Sequence, residues 1–164
     1  MTSMRYPSRR TILFGAVAAS ATLVGAPTFG QGALPKVAVS KDPNCGCCSG
    51  WVKHMRGAGF LVEVTDTSEL NRLKIRLGVP QALAACHTAE VDGYVIEGHV
   101  PAPAIKRLLA ERPQAKGLAV PGMPVGSPGM EVEGSPPETY EVILFGPSGT
   151  STFARYRGAV ETGA

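Results

Sequence analysis

The fold is decided by residues 36–51, KVAVSKDPNCGCCSGW, which also hold three of the four cysteines. The apolar, β-branched run at residues 36–39 predicts a buried strand, and the Asp-Pro-Asn of residues 42–44 predicts a turn. From Trp51 onward, apolar residues recur at helical spacing until Gly57 and Gly59 indicate the end of a helix. The stretch therefore predicts a strand, a thiol loop and a helix, in that order.

The thiol loop lies at the N-terminus of this predicted helix, where unpaired N–H groups and the helix dipole favour anions. A thiol in such a position has a lowered pKa and is partly thiolate at neutral pH. Thiolate is the form that binds soft metals and the form that attacks disulfides. Gly46 keeps the loop free of side-chain bulk.

Three kinds of chemistry fit the cysteines. Cys45 and Cys48 have the C-x-x-C spacing of thiol redox proteins. Cys47 adds a sulfur between them and Cys86 supplies a fourth, which suits a metal or a metal cluster, since soft sulfur ligands select Cu(I), Zn(II) or iron–sulfur centres. The structural alternative is two disulfides, Cys45–Cys48 and Cys47–Cys86, in an oxidising compartment. Of the three, we favour the metal site.

Residues 1–32 predict an export signal. Three arginines, with no acidic residue among them, precede a short apolar stretch rich in alanine and glycine. The pair Arg9-Arg10 resembles a twin-arginine signal. The whole chain has 16 Lys+Arg and 13 Asp+Glu, so without these three arginines the remainder has 13 of each and no net charge. The remainder also lacks a basic run or aromatic platform, so we expect no nucleic-acid partner.

Residues 33–164 predict a single α/β domain. A second strand is expected at residues 60–64, a helix at 68–77, a hairpin around Asp92-Gly93 and a helix at 102–111. The order βαβαββα is that of a thioredoxin-like domain, with the thiol loop between the first strand and the first helix. Residues 140–145 and 150–156 add a C-terminal β-hairpin.

Residues 117–137 form a Gly/Pro/Met-rich segment that we call the flap. Its glycines and prolines predict an irregular structure. The flap contains Met123 and Met130, which either pack against the core or carry thioether ligands over the thiol loop.

The histidines divide into one ligand candidate and two others. His87 adjoins Cys86 and is a candidate ligand. For His99 we expect a cap on the next helix or a place in solvent, and for His54 a place on the surface. Because no Ser/His/Asp grouping or phosphate loop is present, the sequence gives no support for hydrolysis or phosphoryl transfer.

Several motifs together resemble one family, the CopG-type periplasmic metal-binding proteins, long catalogued as a domain of unknown function. They are CGCC with Trp51 (residues 45–51), GVP (78–80), CHT (86–88), VDGYVIEGHVP (91–101), GLAVPGMP (117–124) and GSPGM (126–130). The resemblance implies a thioredoxin-like fold, a bacterial periplasmic location and a link to copper resistance. It also implies that copper-thiolate ligands, including those of a multinuclear Cu(I) cluster, correspond to Cys45, Cys47, Cys48 and Cys86.

We therefore expect a periplasmic protein that holds Cu(I) for resistance, sequestration or handover. The candidate ligands are Cys45, Cys47, Cys48, Cys86, His87, Met123 and Met130, with zinc as the less favoured metal. A copper carrier or efflux protein is the expected partner, and no membrane association is expected after signal cleavage. The alternative function is a thiol-disulfide oxidoreductase linked to copper handling.

Overall fold

The computed structural model describes residues 33–163, so the predicted export signal lies outside the described residues. The described part contains three α-helices, α1 (Gly46–Gly57), α2 (Leu70–Leu77) and α3 (Ala102–Glu111), and a short 3-10 helix (Gln81–Leu83). Its strands are β1 (Val37–Lys41), β2 (Val62–Asp66), β3 (His87–Val91), β4 (Tyr94–Glu97), β5 (Gly117–Ala119), β6 (Thr139–Gly146), β7 (Gly149–Arg157) and β8 (Val160–Gly163).

All eight strands belong to one sheet, in the order β2-β1-β3-β4-β5-β6-β7-β8. Strands β1 and β2 are parallel because α1 crosses between them, and β3 and β4 continue the sheet as antiparallel neighbours. Strand β5 pairs in parallel with β4 after the α3 crossover, and β6, β7 and β8 follow as antiparallel neighbours. The predicted α/β class is confirmed, and the order β2-β1-β3-β4 is compatible with a thioredoxin-like domain.

The hydrophobic core lies on both faces of this sheet. The larger cluster joins residues of α1 and α3, including Trp51 and Ile105, to one face. The smaller cluster contains Val79, Val95 and Phe145. Because successive strand residues point to opposite faces, Val95 and its neighbour Ile96, which belongs to the larger cluster, show that the two clusters are separated by the sheet.

The hairpin between β3 and β4 turns at the predicted residues. Asp92 and Gly93 have φ angles of 47° and 86°, the left-handed pair that a two-residue turn of this kind requires. Its register places Val91 opposite Tyr94 and Thr88 opposite Glu97. The hairpin prediction is therefore confirmed in position and in turn residues.

Two features of the C-terminal half differ from the prediction. The flap was predicted to be irregular from residue 117, but Gly117–Ala119 is strand β5, held between β4 and β6. Gly117 permits this pairing because a Cβ there would lie 1.7 Å from the Val95 carbonyl oxygen. The predicted hairpin is present as β6 and β7, and β8 extends it by a strand that was not expected from the sequence.

Within residues 33–163, no helix combines the length and the apolar character needed to cross a bilayer.

Candidate metal centre

The thiol loop is held by the end of β1. Lys41 is buried, and its ammonium group donates to the Asp42 carbonyl at 3.0 Å while pairing with Asp66 at 3.0 Å. The Asp42 side chain accepts a hydrogen bond from the Asn44 N–H, which closes the predicted turn. The chain then enters α1 with Cys45 as the N-cap residue, so that Cys47 and Cys48 lie in the first helical turn.

Cys86 reaches the same place from the loop before β3. Because β3 pairs with β1, Lys41 lies opposite His87 in the sheet, and the residue before His87 faces the thiol loop. The sulfur atoms of Cys45, Cys47, Cys48 and Cys86 all lie within 4.8 Å of one another. The structure thus brings together the four cysteines that the sequence singled out.

Two of the four cysteines are oxidised. Cys45 and Cys48 form a disulfide, and Cys47 and Cys86 are free thiols. The Cys47 sulfur lies 3.4 Å from that of Cys45 and 4.0 Å from that of Cys86. Of the two disulfides considered from the sequence, the first is present and the second is not. A site with four thiolates therefore requires two electrons to open the Cys45–Cys48 bond.

His99 lies against Cys86, contrary to our expectation of a helix cap or a solvent-exposed ring. The ring is fully buried, with Nε2 3.0 Å from the Cys86 sulfur. The backbone turns inward at Gly98, whose φ is 71°, and this turn directs the following residue toward the thiols. The capping role falls to His54, whose Nε2 accepts the Ala102 N–H at the start of α3.

The proton on His99 can be assigned from its second contact. Nδ1 lies 2.8 Å from the Pro128 carbonyl oxygen of the flap. Since a carbonyl oxygen only accepts, Nδ1 carries the proton and donates it, and Nε2 presents a lone pair to Cys86. Metal-binding histidines are commonly oriented by such a hydrogen bond from the other ring nitrogen.

His87 supplies a second imidazole beside the same sulfur. Its Nδ1 lies 3.3 Å from the Cys86 sulfur, and its ring is 4.5 Å from that of Trp51 and 5.1 Å from that of His99. The ring is fully buried, and its Nε2 is one of two buried side-chain nitrogens without a hydrogen-bond partner among residues 33–163. Cys86, His87 and His99 form a second group with ligand atoms within 4.8 Å of one another.

Burial determines the protonation of this group. Loss of solvation raises the pKa of the Cys86 thiol to about 12, and the nearby Cys47 adds to the effect. Burial lowers the pKa of His87 to about 3, helped by His99 and Lys74, and it also lowers the pKa of His99. At neutral pH the metal-free site therefore has a protonated thiol between two neutral imidazoles, and binding a metal through Cys86 releases a proton.

The flap contacts the site through its backbone. A Cβ on Gly129 would lie 2.5 Å from the backbone nitrogen of Trp51 and 2.6 Å from the Cys47 carbonyl oxygen. A Cβ on Gly50 would lie 2.8 Å from the Gly129 Cα atom, so the two glycines allow the flap to pack directly on the first turns of α1. By contrast, Met123 is 52% exposed, and Met130 is partly buried.

A buried polar network that no sequence pattern predicted lies behind Cys86. Glu97 on β4 accepts hydrogen bonds from Lys74 on α2, from Thr88 on β3 and from the Ala85 N–H. The signal available in the sequence was weak: Glu97 stands among apolar residues in β4, and Lys74 has no distinguishing pattern on α2.

Comparison with known proteins places this geometry in a family. Residues 83–130, from just before Cys86 to Met130, match the family described as a protein of unknown function, DUF411. No curated protein sequence matches the chain. Two solved structures, forms 2 and 1 of the copper resistance protein CopG, each share 44% sequence identity with a TM-score of 0.71. The alignments cover 75% and 76% of this chain and 98% and 99% of those chains.

The resemblance drawn from the sequence motifs is therefore confirmed. With that identity maintained over nearly the full length of both solved structures, the chain belongs to the CopG family of copper resistance proteins.

Proposed function

We propose that this protein binds copper as Cu(I) through Cys45, Cys47, Cys48 and Cys86. The observation that carries the proposal is the convergence of four sulfur atoms within 4.8 Å in a relative of the copper resistance protein CopG. Soft thiolates select Cu(I) over harder cations, and tetrahedral zinc is the less favoured alternative for the same four sulfurs. Because sulfur is polarisable and can bridge two metals, four thiolates suffice for a multinuclear cluster.

Nitrogen ligands extend this proposal. His99 presents its Nε2 lone pair toward Cys86, and His87 is buried beside the same sulfur without a partner for its own Nε2. We include both histidines among the copper ligands, His99 as an addition to the set expected from the sequence. Met123 and Met130 remain proposed as weaker thioether ligands supplied by the flap.

The biological role proposed is copper resistance by sequestration or handover in the periplasm. The export signal expected at residues 1–32 would carry the chain to that compartment. A copper carrier or an efflux protein would deliver or accept the metal there. Proton release from the Cys86 thiol, whose pKa burial raises to about 12, makes the affinity for copper increase with pH.

The Cys45–Cys48 disulfide supports a second candidate function. A C-x-x-C disulfide at a helix N-terminus is the arrangement of thiol-disulfide oxidoreductases. Cys47, 3.4 Å from Cys45, is an additional sulfur that a simple dithiol exchange does not need. We therefore rank oxidoreduction linked to copper handling second.

An anaerobic Cu(I) titration of the fully reduced protein tests the first proposal against the second. Metal analysis and thiol counting are made on the same sample. Several Cu(I) per chain with all four thiols protected from alkylation is the expected result. Weak copper binding, together with rapid formation of an oxidising Cys45–Cys48 disulfide, would overturn it in favour of the oxidoreductase.

A further inference from the structure

The buried pair Lys74–Glu97 lies outside the group of candidate ligands but next to it. The side chains are 7% and 0% exposed, and their charged atoms are 2.5 Å apart. Lys74 also donates to the Thr88 hydroxyl at 2.8 Å, which in turn donates to the second carboxylate oxygen of Glu97 at 2.7 Å. Three elements, α2, β3 and β4, thus converge on one carboxylate.

That carboxylate also holds the loop that carries Cys86. The first carboxylate oxygen of Glu97 accepts the Ala85 N–H at 2.6 Å, and Ala85 immediately precedes Cys86. As a result, the Glu97 side chain is bonded directly to the peptide that leads into the thiol.

The two residues after Glu97 continue the contact. The Gly98 N–H donates to the His87 carbonyl at 3.0 Å, and a Cβ on Gly98 would lie 2.7 Å from that of Ala85. His99 then contacts the Cys86 sulfur. Each of residues 97–99 therefore contacts a residue of the segment 85–87. The Lys74–Glu97 pair holds the first of these three contacts in place.

Stability alone does not account for such a pair. Removing two charges from water is costly, and well-packed apolar residues in place of a buried ion pair are often neutral or stabilising. A benefit that apolar residues could not supply is the acceptor for the Ala85 N–H and the geometry which that bond imposes on Cys86.

We propose that Lys74 and Glu97 are positioning residues that set the Cys86 thiol in place for copper through the Ala85 peptide. The proposal rests on the proposed copper-binding function. Glu97 supplies the acceptor, and Lys74 with Thr88 holds the carboxylate in the orientation that the Ala85 N–H requires. Neither residue belongs to the groups of candidate ligands.

Two double variants of the full chain separate positioning from general stability. Lys74→Met with Glu97→Leu removes both charges and the acceptor, and it leaves no unpaired buried charge to prevent folding. Lys74→Met with Glu97→Gln removes the charges but keeps a side-chain oxygen for the Ala85 N–H. Arg107→Met is the control, because it breaks an ion pair to Glu161 and a hydrogen bond to the Phe153 carbonyl, neither of which involves a candidate ligand.

The first readout is Cu(I) affinity of the reduced proteins in competition with a chromophoric chelator. We expect the Met/Leu variant to lose roughly tenfold to a hundredfold, the usual cost of removing a group that orients a metal ligand. The Met/Gln variant keeps the acceptor but loses the ammonium group that orients it, so it should lose clearly less affinity than the Met/Leu variant. Arg107→Met should lose none. Equal losses in the two double variants, or none in either, would overturn the proposal.

The second readout needs no metal. In the protein with the Cys45–Cys48 disulfide, iodoacetamide labels only Cys47 and Cys86, and mass spectrometry gives the rate at each. In the Met/Leu variant, iodoacetamide should alkylate Cys86 on the order of tenfold faster than in the parent, because local opening of the Cys86 loop becomes more frequent. The alkylation rate at Cys47 should not change. A parallel rise at both thiols would show global destabilisation and overturn the positioning role.

The two readouts keep the proposals distinguishable. If the parent protein fails to bind Cu(I), the proposed function fails, and the ratio of Cys86 to Cys47 alkylation still decides whether Lys74 and Glu97 position the thiol. If the parent binds Cu(I) and the variants are unchanged in both readouts, only the positioning role fails.

Discussion

Among single residues, Cys47 separates the two candidate functions most sharply. It lies between the sulfurs of Cys45 and Cys86, at 3.4 Å and 4.0 Å, while taking no part in the disulfide. In a copper cluster this sulfur would bridge the C-x-x-C pair to the distant cysteine. In a dithiol exchange between Cys45 and Cys48 it would have no required role.

Cys47→Ser should therefore abolish most copper binding and preserve disulfide formation. We expect the number of Cu(I) bound per reduced chain to fall by at least half, because a hydroxyl is a poor ligand for a soft metal. Anaerobic titration with metal analysis measures this number. Ser49→Ala, in the exposed part of the same helical turn, is the control and should bind as the parent does. Undiminished stoichiometry in Cys47→Ser would contradict the cluster.

The sequence was sufficient for the cysteines and insufficient for His99. The cysteines are rare and closely spaced, and a strand followed by a helix brings their loop to one end of the sheet. The orientation of His99 instead depends on the left-handed turn at Gly98 and on the carbonyl of Pro128, 29 residues further on. Single-sequence patterns carry no information about such a contact.

Among the elements, the flap is the one whose role changes most between sequence and structure. The sequence indicated its methionines as candidate ligands, whereas its contacts with the site come from the Pro128 carbonyl and the Gly129 backbone. Strand β5 was missed for a related reason. A three-residue strand that begins with glycine has no periodicity to detect, and it forms because β4 and β6 offer hydrogen-bond partners on both sides.

Gly129→Ala tests whether backbone packing of the flap supports the site. The new methyl group would lie 2.5 Å from the backbone nitrogen of Trp51, so the flap must move away from α1. As a result, the Pro128 carbonyl should lose its hydrogen bond from His99. We expect a loss of stability of about 2–4 kcal/mol, which combines the cost of a positive φ with overpacking. Urea unfolding measures the stability, and chelator competition measures the accompanying loss of Cu(I) affinity.

Gly134→Ala is a matched control within the same flap. Its φ of 77° is close to the 87° of Gly129, but a Cβ at Gly134 would meet no heavy atom within 4 Å. The control should show only the backbone cost, about 1 kcal/mol, with unchanged copper affinity. If the two variants behaved alike, contact between the flap and α1 would have no part in copper binding.

For the whole molecule, the sheet order explains how distant segments meet in a buried site. Pairing of β1 with both β2 and β3 brings the loop after β1 beside the loop before β3. His99, two residues after β4, contacts Cys86 in the second of these loops. The consequence is a group of titratable side chains in which Cys86 is partly buried and His87 and His99 are fully buried. Their burial makes the stability of the metal-free protein depend on pH in both directions.

On the alkaline side, Cys86 limits stability. Its pKa of about 12 in the folded protein exceeds the ordinary value of 9.0, so the stability that it contributes is present below pH 9 and is lost as the pH rises toward 12. On the acid side His87 has the opposite effect. Its pKa of about 3 lies below the ordinary 6.5, so its contribution is present above pH 6.5 and is lost as the pH falls toward 3. Maximum stability is therefore expected between about pH 6.5 and pH 9.

When the pH is lowered from 6.5 to 5, the metal-free parent protein should lose more stability than a variant that lacks the His87 imidazole. Over that interval the unfolded chain binds a proton at residue 87 that the folded chain excludes, which costs about 1.4 kcal/mol per pH unit at most. Urea unfolding of the parent and of His87→Leu at pH 7, 6 and 5 measures the difference.

Most carboxylates keep their charge in this range, so the comparison isolates the buried imidazoles. His99, which remains in both proteins and has a lowered pKa, gives the variant a residual slope of the same sign. Parallel stability profiles for the two proteins would mean that His87 has the same pKa in the folded protein as in the unfolded chain, which would contradict its burial as a neutral imidazole.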